Sequence, residues 1–172
     1  MHNNERPTHG RRLRWSFIVF LALFLFFLSW AVSRNYSPPA SEMIWGVTFS
    51  QKYARDWLNL DWGPAYLAIL DDLGVKKIRL MSYWDEIERE QDHYNFQDLD
   101  YLMSEAGKHG AKVILVVGLR QPRWPECHFP DWAPRENGAY HKYILRLIDG
   151  VVERYKNNPA LESWQVENEP LL

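Results

Sequence analysis

The feature that most constrains this chain is an alternation of short apolar runs with amphipathic segments over residues 44–172. Ile44 to Phe49 (IWGVTF), Lys77 to Met81 (KIRLM), Lys112 to Gly118 (KVILVVG) and Leu161 to Val166 read as strands. Between them apolar residues recur on one helical face. These are Tyr66, Ile69, Leu70 and Leu73, then Leu99, Leu102, Met103 and Ala106, then Ile144, Leu147, Ile148, Val151 and Tyr155. Asp61 and Gly74 bound the first helix, with Pro64 in its first turn; Asn95 and Gly110 bound the second. The third runs from about Ala139 to Tyr155 and is closed by Asn157, Asn158 and Pro159. The continuous run KVILVVG suits a parallel strand covered on both faces. The order β-α-β-α-β-α-β predicts a parallel sheet with helices outside. An open doubly wound sheet and a closed barrel both satisfy it. No G-x-G-x-x-G follows the first strand, so a dinucleotide-binding open sheet has no support.

Loop lengths are asymmetric. The segments after strands one, two and three are long, roughly Ser50 to Leu60, Ser82 to Asn95 and Leu119 to Gly138, whereas the helix-to-strand turns are short. The long loops therefore gather at the C-terminal ends of the strands, the face that carries the active site in a β/α barrel. They contain Trp57, Tyr83, Trp84, Trp124 and Trp132. Nine tryptophans and 15% aromatic residues have two readings: rings packed under loops and at a membrane interface, or flat platforms that stack on pyranose rings.

Ahead of this pattern, Trp15 to Val32 is almost wholly apolar, interrupted by Ser16 and Ser29, and preceded by Arg11, Arg12 and Arg14. A helix of that length roughly spans a bilayer core of about 30 Å. Trp15 and Trp30 stand at its ends, and the arginine bias places Met1 in the cytoplasm and the rest outside. A cleaved signal peptide competes with this, because Ala31-Val32-Ser33 is a tolerable cleavage site, but the apolar length fits an uncleaved anchor better. The expected organisation is a cytoplasmic N-terminus over 1–14, a transmembrane signal anchor over 15–33, a linker over 34–43 containing Pro38 and Pro39, and one domain over 44–172.

Net charge is -2, which gives no electrostatic case for nucleic-acid binding. Cys127 is the one cysteine, so no internal disulfide and no cysteine-based zinc cluster forms within the chain. Glu126, Cys127, His128 and His141 match no metal-ligand spacing, and no cofactor is expected. His109 beside Gly110 reads as a C-terminal partner for a helix dipole.

The fourth strand ends Trp164-Gln165-Val166-Glu167-Asn168-Glu169-Pro170. Two carboxylates and an amide at a strand end are costly unless they face a polar cavity. Alternation puts Glu167 and Glu169 nominally on one face, although strand ends often bulge. Asn-Glu-Pro here resembles the strand-four signature of glycoside hydrolase clan A, and Ile78-Arg79-Leu80 resembles the clan's second strand. Tyr83-Trp84-Asp85-Glu86-Ile87-Glu88 and Tyr94 to Asp100 resemble the stretch after strand two in families 5, 35 and 42 (cellulases and β-galactosidases). Val166-Glu167-Asn168-Glu169 is similar to the family 35 pattern, although Pro170 departs from it.

That resemblance implies the first half, strands one to four, of a (β/α)8 TIM barrel that cleaves β-linked saccharides with retention. It implies Glu169 as general acid/base, Asn168 as ligand of the sugar hydroxyl beside the reacting carbon, and Arg79 in the active site. Trp84, Trp124 and Glu167 complete the expected substrate-binding set. A retaining mechanism needs a second carboxylate about 5–5.5 Å away. In clan A that nucleophile ends strand seven, which lies outside these residues, and Glu167 would approach from the same side as Glu169. The alternative is a catalytically inactive, membrane-tethered saccharide-binding half-barrel. If the half-barrel stands alone, strands one and four are open edges, and the inner sheet face leaves Val113, Leu115 or their neighbours uncovered. The expected partners are a saccharide and the membrane.

Overall fold

The computed structural model describes residues 9–34 and 43–170, apart from the side chains of 9–17, 32 and 34. The chain divides into two units, Met1–Met43 and Ile44–Leu172.

In the first unit, helix α1 spans His9–Arg34. Its described side chains from Ile18 to Trp30 are exposed and mostly apolar. Among the described residues, no helix is long and apolar enough to cross a membrane. The expected span over 15–33 includes side chains that lie outside the described residues, as do residues 1–8 and most of the expected linker.

The second unit is built on strands β1 (Gly46–Thr48), β2 (Lys77–Met81), β3 (Lys112–Val117) and β4 (Leu161–Val166). They form a parallel sheet in sequence order. Helices α2 (Gln51–Asp56) and α3 (Trp62–Asp71) follow β1; α4 (Trp84–Ile87) and α5 (Gln97–Lys108) follow β2; α6 (His141–Tyr155) joins β3 to β4. Asp61 caps α3 by accepting from the Gly63 N–H at 3.3 Å. The Asn95 side chain accepts from the Gln97 N–H at 3.0 Å, while the cap position itself is Phe96. Helices α2 and α4 fall within the long segments after β1 and β2, where loops are expected. At six and four residues they are too short to show a helical period.

The long helices cover one face of the sheet. Ile78, Leu80, Val113, Leu115 and Val117 point into the same buried cluster as Tyr66, Leu102, Leu147 and Val151. Full burial of each such aliphatic side chain stabilises by roughly 1.5–3 kcal/mol. Tyr66 donates to the Leu102 carbonyl at 3.0 Å, tying α3 to α5; Tyr155 donates to Asp100 at 2.7 Å, tying α6 to α5. Alternation sends Met81 and Val116 to the other face, where they form a small cluster with Tyr83. Val113 and Leu115 are therefore covered by helices, and it is their neighbours that face inward. A register shift between Val113 and Ile114 leaves Glu162 as an extra residue on β4.

Candidate active site

The site begins where β4 stops. Glu167 and Glu169 have φ of 58° and 53°, left-handed values uncommon for residues with a Cβ and costing about 1–2 kcal/mol each. Strand alternation thus ends at Val166, and sharing a face through alternation no longer applies to the two carboxylates. The backbone still holds this turn firmly: the Glu167 N–H donates to the Val117 carbonyl at 2.9 Å, and the Asn168 N–H to the Arg120 carbonyl at 2.8 Å.

The Glu167 carboxylate turns onto the neighbouring loop. One oxygen accepts from the Leu119 N–H at 2.9 Å, and the other accepts from the Arg120 N–H. It lies over Gly118, whose φ of 114° and missing Cβ make room for it. A methyl group there would collide with the carboxylate. We expect Gly118→Ala to cost about 1–3 kcal/mol by breaking these bonds and straining the turn, with the urea midpoint lowered accordingly. An unchanged midpoint would show that Glu167 is not braced there.

Asn168 is tied to the same loop. Its Nδ2 donates to Glu126 at 2.9 Å; Arg120 pairs with the other Glu126 oxygen at 2.8 Å and donates to the Glu169 carbonyl at 3.2 Å. The Glu169 side chain stands exposed. Arg79 faces the inner side of the sheet. Its Nε donates to Thr48 at 3.0 Å and its Nη1 to Gln165 at 3.4 Å, while Gln165 donates to the Glu167 carbonyl at 3.1 Å. Arg79 on β2 thus reaches β4 across the intervening β3, on the face of the sheet opposite the long helices.

Trp84 and Trp124 separate. Trp84 is 1% exposed, packed edge-on to Trp132 and tilted against Phe129, and donates to Glu88 at 2.7 Å. This places it in the core rather than on a cleft wall. Trp124 is 80% exposed. It lines a cleft of about 280 Å³ built from the loops after β1, β2 and β3, together with Trp57, Tyr83 and Asp85. Glu169, Asn168 and Arg79 are not among that cleft's walls.

Two further features had no signal in the spacing. Glu126 bridges Arg120 and Asn168 from within an irregular loop, and Asp85 pairs with both Lys52 and His128. Burial alone would push the Asp85 carboxyl up, yet His128 and Lys52 hold it below its ordinary value; Arg154 and Tyr155 do the same for Asp100 against its own burial. Both lowered values favour the charged form in the folded state. The stabilisation is therefore complete above the unfolded value of about 4 and is lost as pH falls through the folded values. Urea midpoints measured from pH 6 downwards should drop below about pH 4. The drop should be shallower in the Asp85→Asn, Asp100→Asn double variant; an identical slope would remove these two groups as its source.

The glycoside hydrolase 42 family model, described as beta-galactosidase, matches residues 51–139. The chain belongs to this family. Its ancestry is that of O-glycosyl hydrolases of clan A. Beta-galactosidase Pbg of Clostridium perfringens is 30% identical over 158 residues, 79% of this chain and 23% of that protein. Beta-galactosidase Bga of Halorubrum lacusprofundi is 26% identical over 136 residues, 68% of this chain and 19% of that protein. The chain thus spans about a fifth of the length of these curated relatives. The crystal structure of a beta-galactosidase from Marinomonas ef1 superposes with a TM-score of 0.54 at 21% identity, over 74% of this chain and 22% of that one. A GH5_18 protein from Bifidobacterium longum subsp. longum gives 0.55 at 18% identity, over 74% and 34%. These likenesses show the partial barrel fold. The family match covers the loops after β1, β2 and β3 and ends before β4.

Proposed function

We propose that this chain is the strand-one-to-strand-four part of a retaining β-glycosidase acting on β-galactosides, with Glu169 as general acid/base. The observation that carries this is Asn168-Glu169 at the C-terminal end of β4, in a parallel sheet of order β1-β2-β3-β4. Arg79 is linked to that turn through Gln165, on the inner side of the sheet. The substrate class comes from the beta-galactosidases it is similar to.

In this reading Glu169 donates its proton to the leaving glycosidic oxygen as a strand-seven carboxylate attacks the anomeric carbon. It then takes a proton from the water that releases the sugar. Asn168 has one amide N–H committed to Glu126. Its second N–H and its oxygen, which have no partner among the described residues, are left for the hydroxyl next to the anomeric carbon. Glu126 and Arg120 hold that amide in position, and Glu167 holds the turn.

The test is to read the coding sequence beyond Leu172, express the in-frame product, and follow aryl β-galactoside hydrolysis by NMR. The expected result is a Glu ending strand seven and a first product of β configuration. A folded product that binds galactose but leaves every aryl β-glycoside intact would favour the second reading, an inactive saccharide-binding half-barrel, for which exposed Trp57 and Trp124 speak.

The same proposal includes a signal anchor over Trp15 to Val32, with the sheet domain outside the cytoplasmic membrane. It is supported by the apolar run and by Arg11, Arg12 and Arg14 before it. Alkaline carbonate should leave the protein in the membrane fraction; its release would remove the anchor.

A further inference from the structure

We infer that the cleft formed by the loops after β1, β2 and β3 is a second saccharide subsite, selective for a sugar that carries an anionic group. That its ligand is a saccharide rests on the glycosidase reading; the selectivity rests on the cleft's own chemistry.

Charge is the first observation. Lys52, Arg123 and Arg135 line the cleft against one carboxylate, Asp85, in a chain whose net charge is -2. Lys52 is committed to Asp85. Arg123 and Arg135 make no ion pair among the described residues, and both are exposed. Each guanidinium lies instead over an aromatic ring, Arg123 at 4.2 Å from the Tyr53 centroid and Arg135 at 5.4 Å from that of Phe129. Stacking of this kind orients the guanidinium plane and leaves its N–H edge available. An anion with two oxygens, a carboxylate above all, accepts two parallel bonds from such an edge.

A hydroxyl proton is the second. Ser50 and Tyr83 both line the cleft and are buried, and their oxygens share one hydrogen bond of 2.8 Å. Two hydroxyls bring two protons, and that bond uses one. Ser50 also accepts from the Tyr53 N–H at 2.9 Å. Whichever hydroxyl donates to the other, one O–H is left at the cleft wall to donate to a ligand oxygen.

Aromatic exposure is the third. Trp57 is 62% exposed and Trp124 80%, two large flat rings at the edge of one polar cleft. Rings held open to solvent at a polar rim mark binding surfaces more often than core. Arg123, next to Trp124, is held at φ 84°, a conformation a non-glycine residue keeps only where its surroundings impose it.

The cleft and the β4 turn share one loop. Arg120 and Cys127 pair across it, Glu126 inside it accepts from Asn168, and Trp124 and Cys127 line the cleft. This loop therefore couples the cleft to the turn that carries Glu169.

The test is calorimetric titration of the complete in-frame product, its strand-seven carboxylate replaced by an amide to prevent turnover, with 6-O-β-glucuronosyl-galactose, neutral β-galactobiose and galactose 6-sulfate. The glucuronosyl disaccharide is expected to bind about tenfold tighter than galactobiose, with the preference shrinking as salt rises. Arg123→Gln and Arg135→Gln together should abolish the preference, and Trp124→Ala should weaken both disaccharides. These side chains are exposed, so circular dichroism should report a native fold for each variant. Tighter binding of galactose 6-sulfate than of the glucuronosyl sugar would assign the anion as sulfate within the same proposal. Equal binding of charged and neutral sugars, no binding of any, or a preference untouched by the double arginine variant would overturn it. The readout needs no turnover, so a Glu169→Gln protein that keeps the preference separates this subsite from the catalytic reading. Loss of the preference in that protein would move the anion to the β4 turn and overturn the cleft assignment.

Discussion

Glu169→Gln, introduced into the complete in-frame product, is expected to lower kcat/KM on unactivated β-galactosides by about 10²–10⁴-fold, the usual contribution of a positioned general acid. The size of the loss should depend on the leaving group. A dinitrophenolate leaves without a proton, so its release should slow far less than that of a sugar alcohol. Water must still be deprotonated to release the sugar, and azide, which needs no base, should restore turnover of the Glu169→Ala protein and yield the β-glycosyl azide. Glu167→Gln provides the contrast. Its carboxylate is occupied by the Leu119 and Arg120 N–H groups, and an amide can accept from one of them while its NH₂ opposes the other. That variant should lose stability and some activity, without leaving-group dependence and without azide rescue. Azide rescue at position 167 and none at 169 would reverse the assignment.

Trp84→Ala is expected to destabilise the fold by about 3–5 kcal/mol, the cost of emptying a large aromatic site. An additional penalty follows from Glu88. That carboxylate is buried, with one oxygen on the Trp84 indole and the other on the Asp92 N–H. Removing the indole leaves a buried charge with one donor fewer, worth about 1–3 kcal/mol more. Trp124→Ala should fall within about 0.5 kcal/mol of the parent, because its ring is largely in solvent. Urea unfolding of the two variants side by side measures the difference. Similar midpoints would mean that Trp84 does not anchor the loop after β2 to Trp132 and Phe129.

These two tryptophans show where reading the sequence stops. Both lie in long loops at the C-terminal ends of strands, and composition offers core packing and sugar stacking equally for each. Position in a loop does not state what covers it. Trp84 sits on a four-residue helix whose backbone turns the ring inward, beneath Phe129 and Trp132 from a loop more than 40 residues later. No local pattern encodes that meeting. Val113 and Leu115 teach the same lesson on a strand: an unbroken apolar run has no period, so only packing decides which members face the helices.

What the sequence determined by itself is the layout. The bounds of β2 and β4 follow from short segments set between turn residues in the alternating pattern, and those of α3 and α5 to within a residue or two from helical spacing, capping and glycine stops, all of which act over a few residues. Strict alternation then leaves a parallel sheet with its long loops at one end, and Asn168-Glu169 after the fourth strand is legible as a motif. The tertiary structure decided the rest. It turned Glu167 out of alternation and onto the loop after β3, recruited Glu126 to Asn168, and carried Arg79 past β3 to Gln165. It also gathered Lys52, Asp85, Arg123 and Arg135 around one cleft. Each of these is a side-chain contact to a group on a different loop or a non-adjacent strand. Their energies depend on distances that the sheet's geometry and the loops' paths set, and neither is written in any window of sequence.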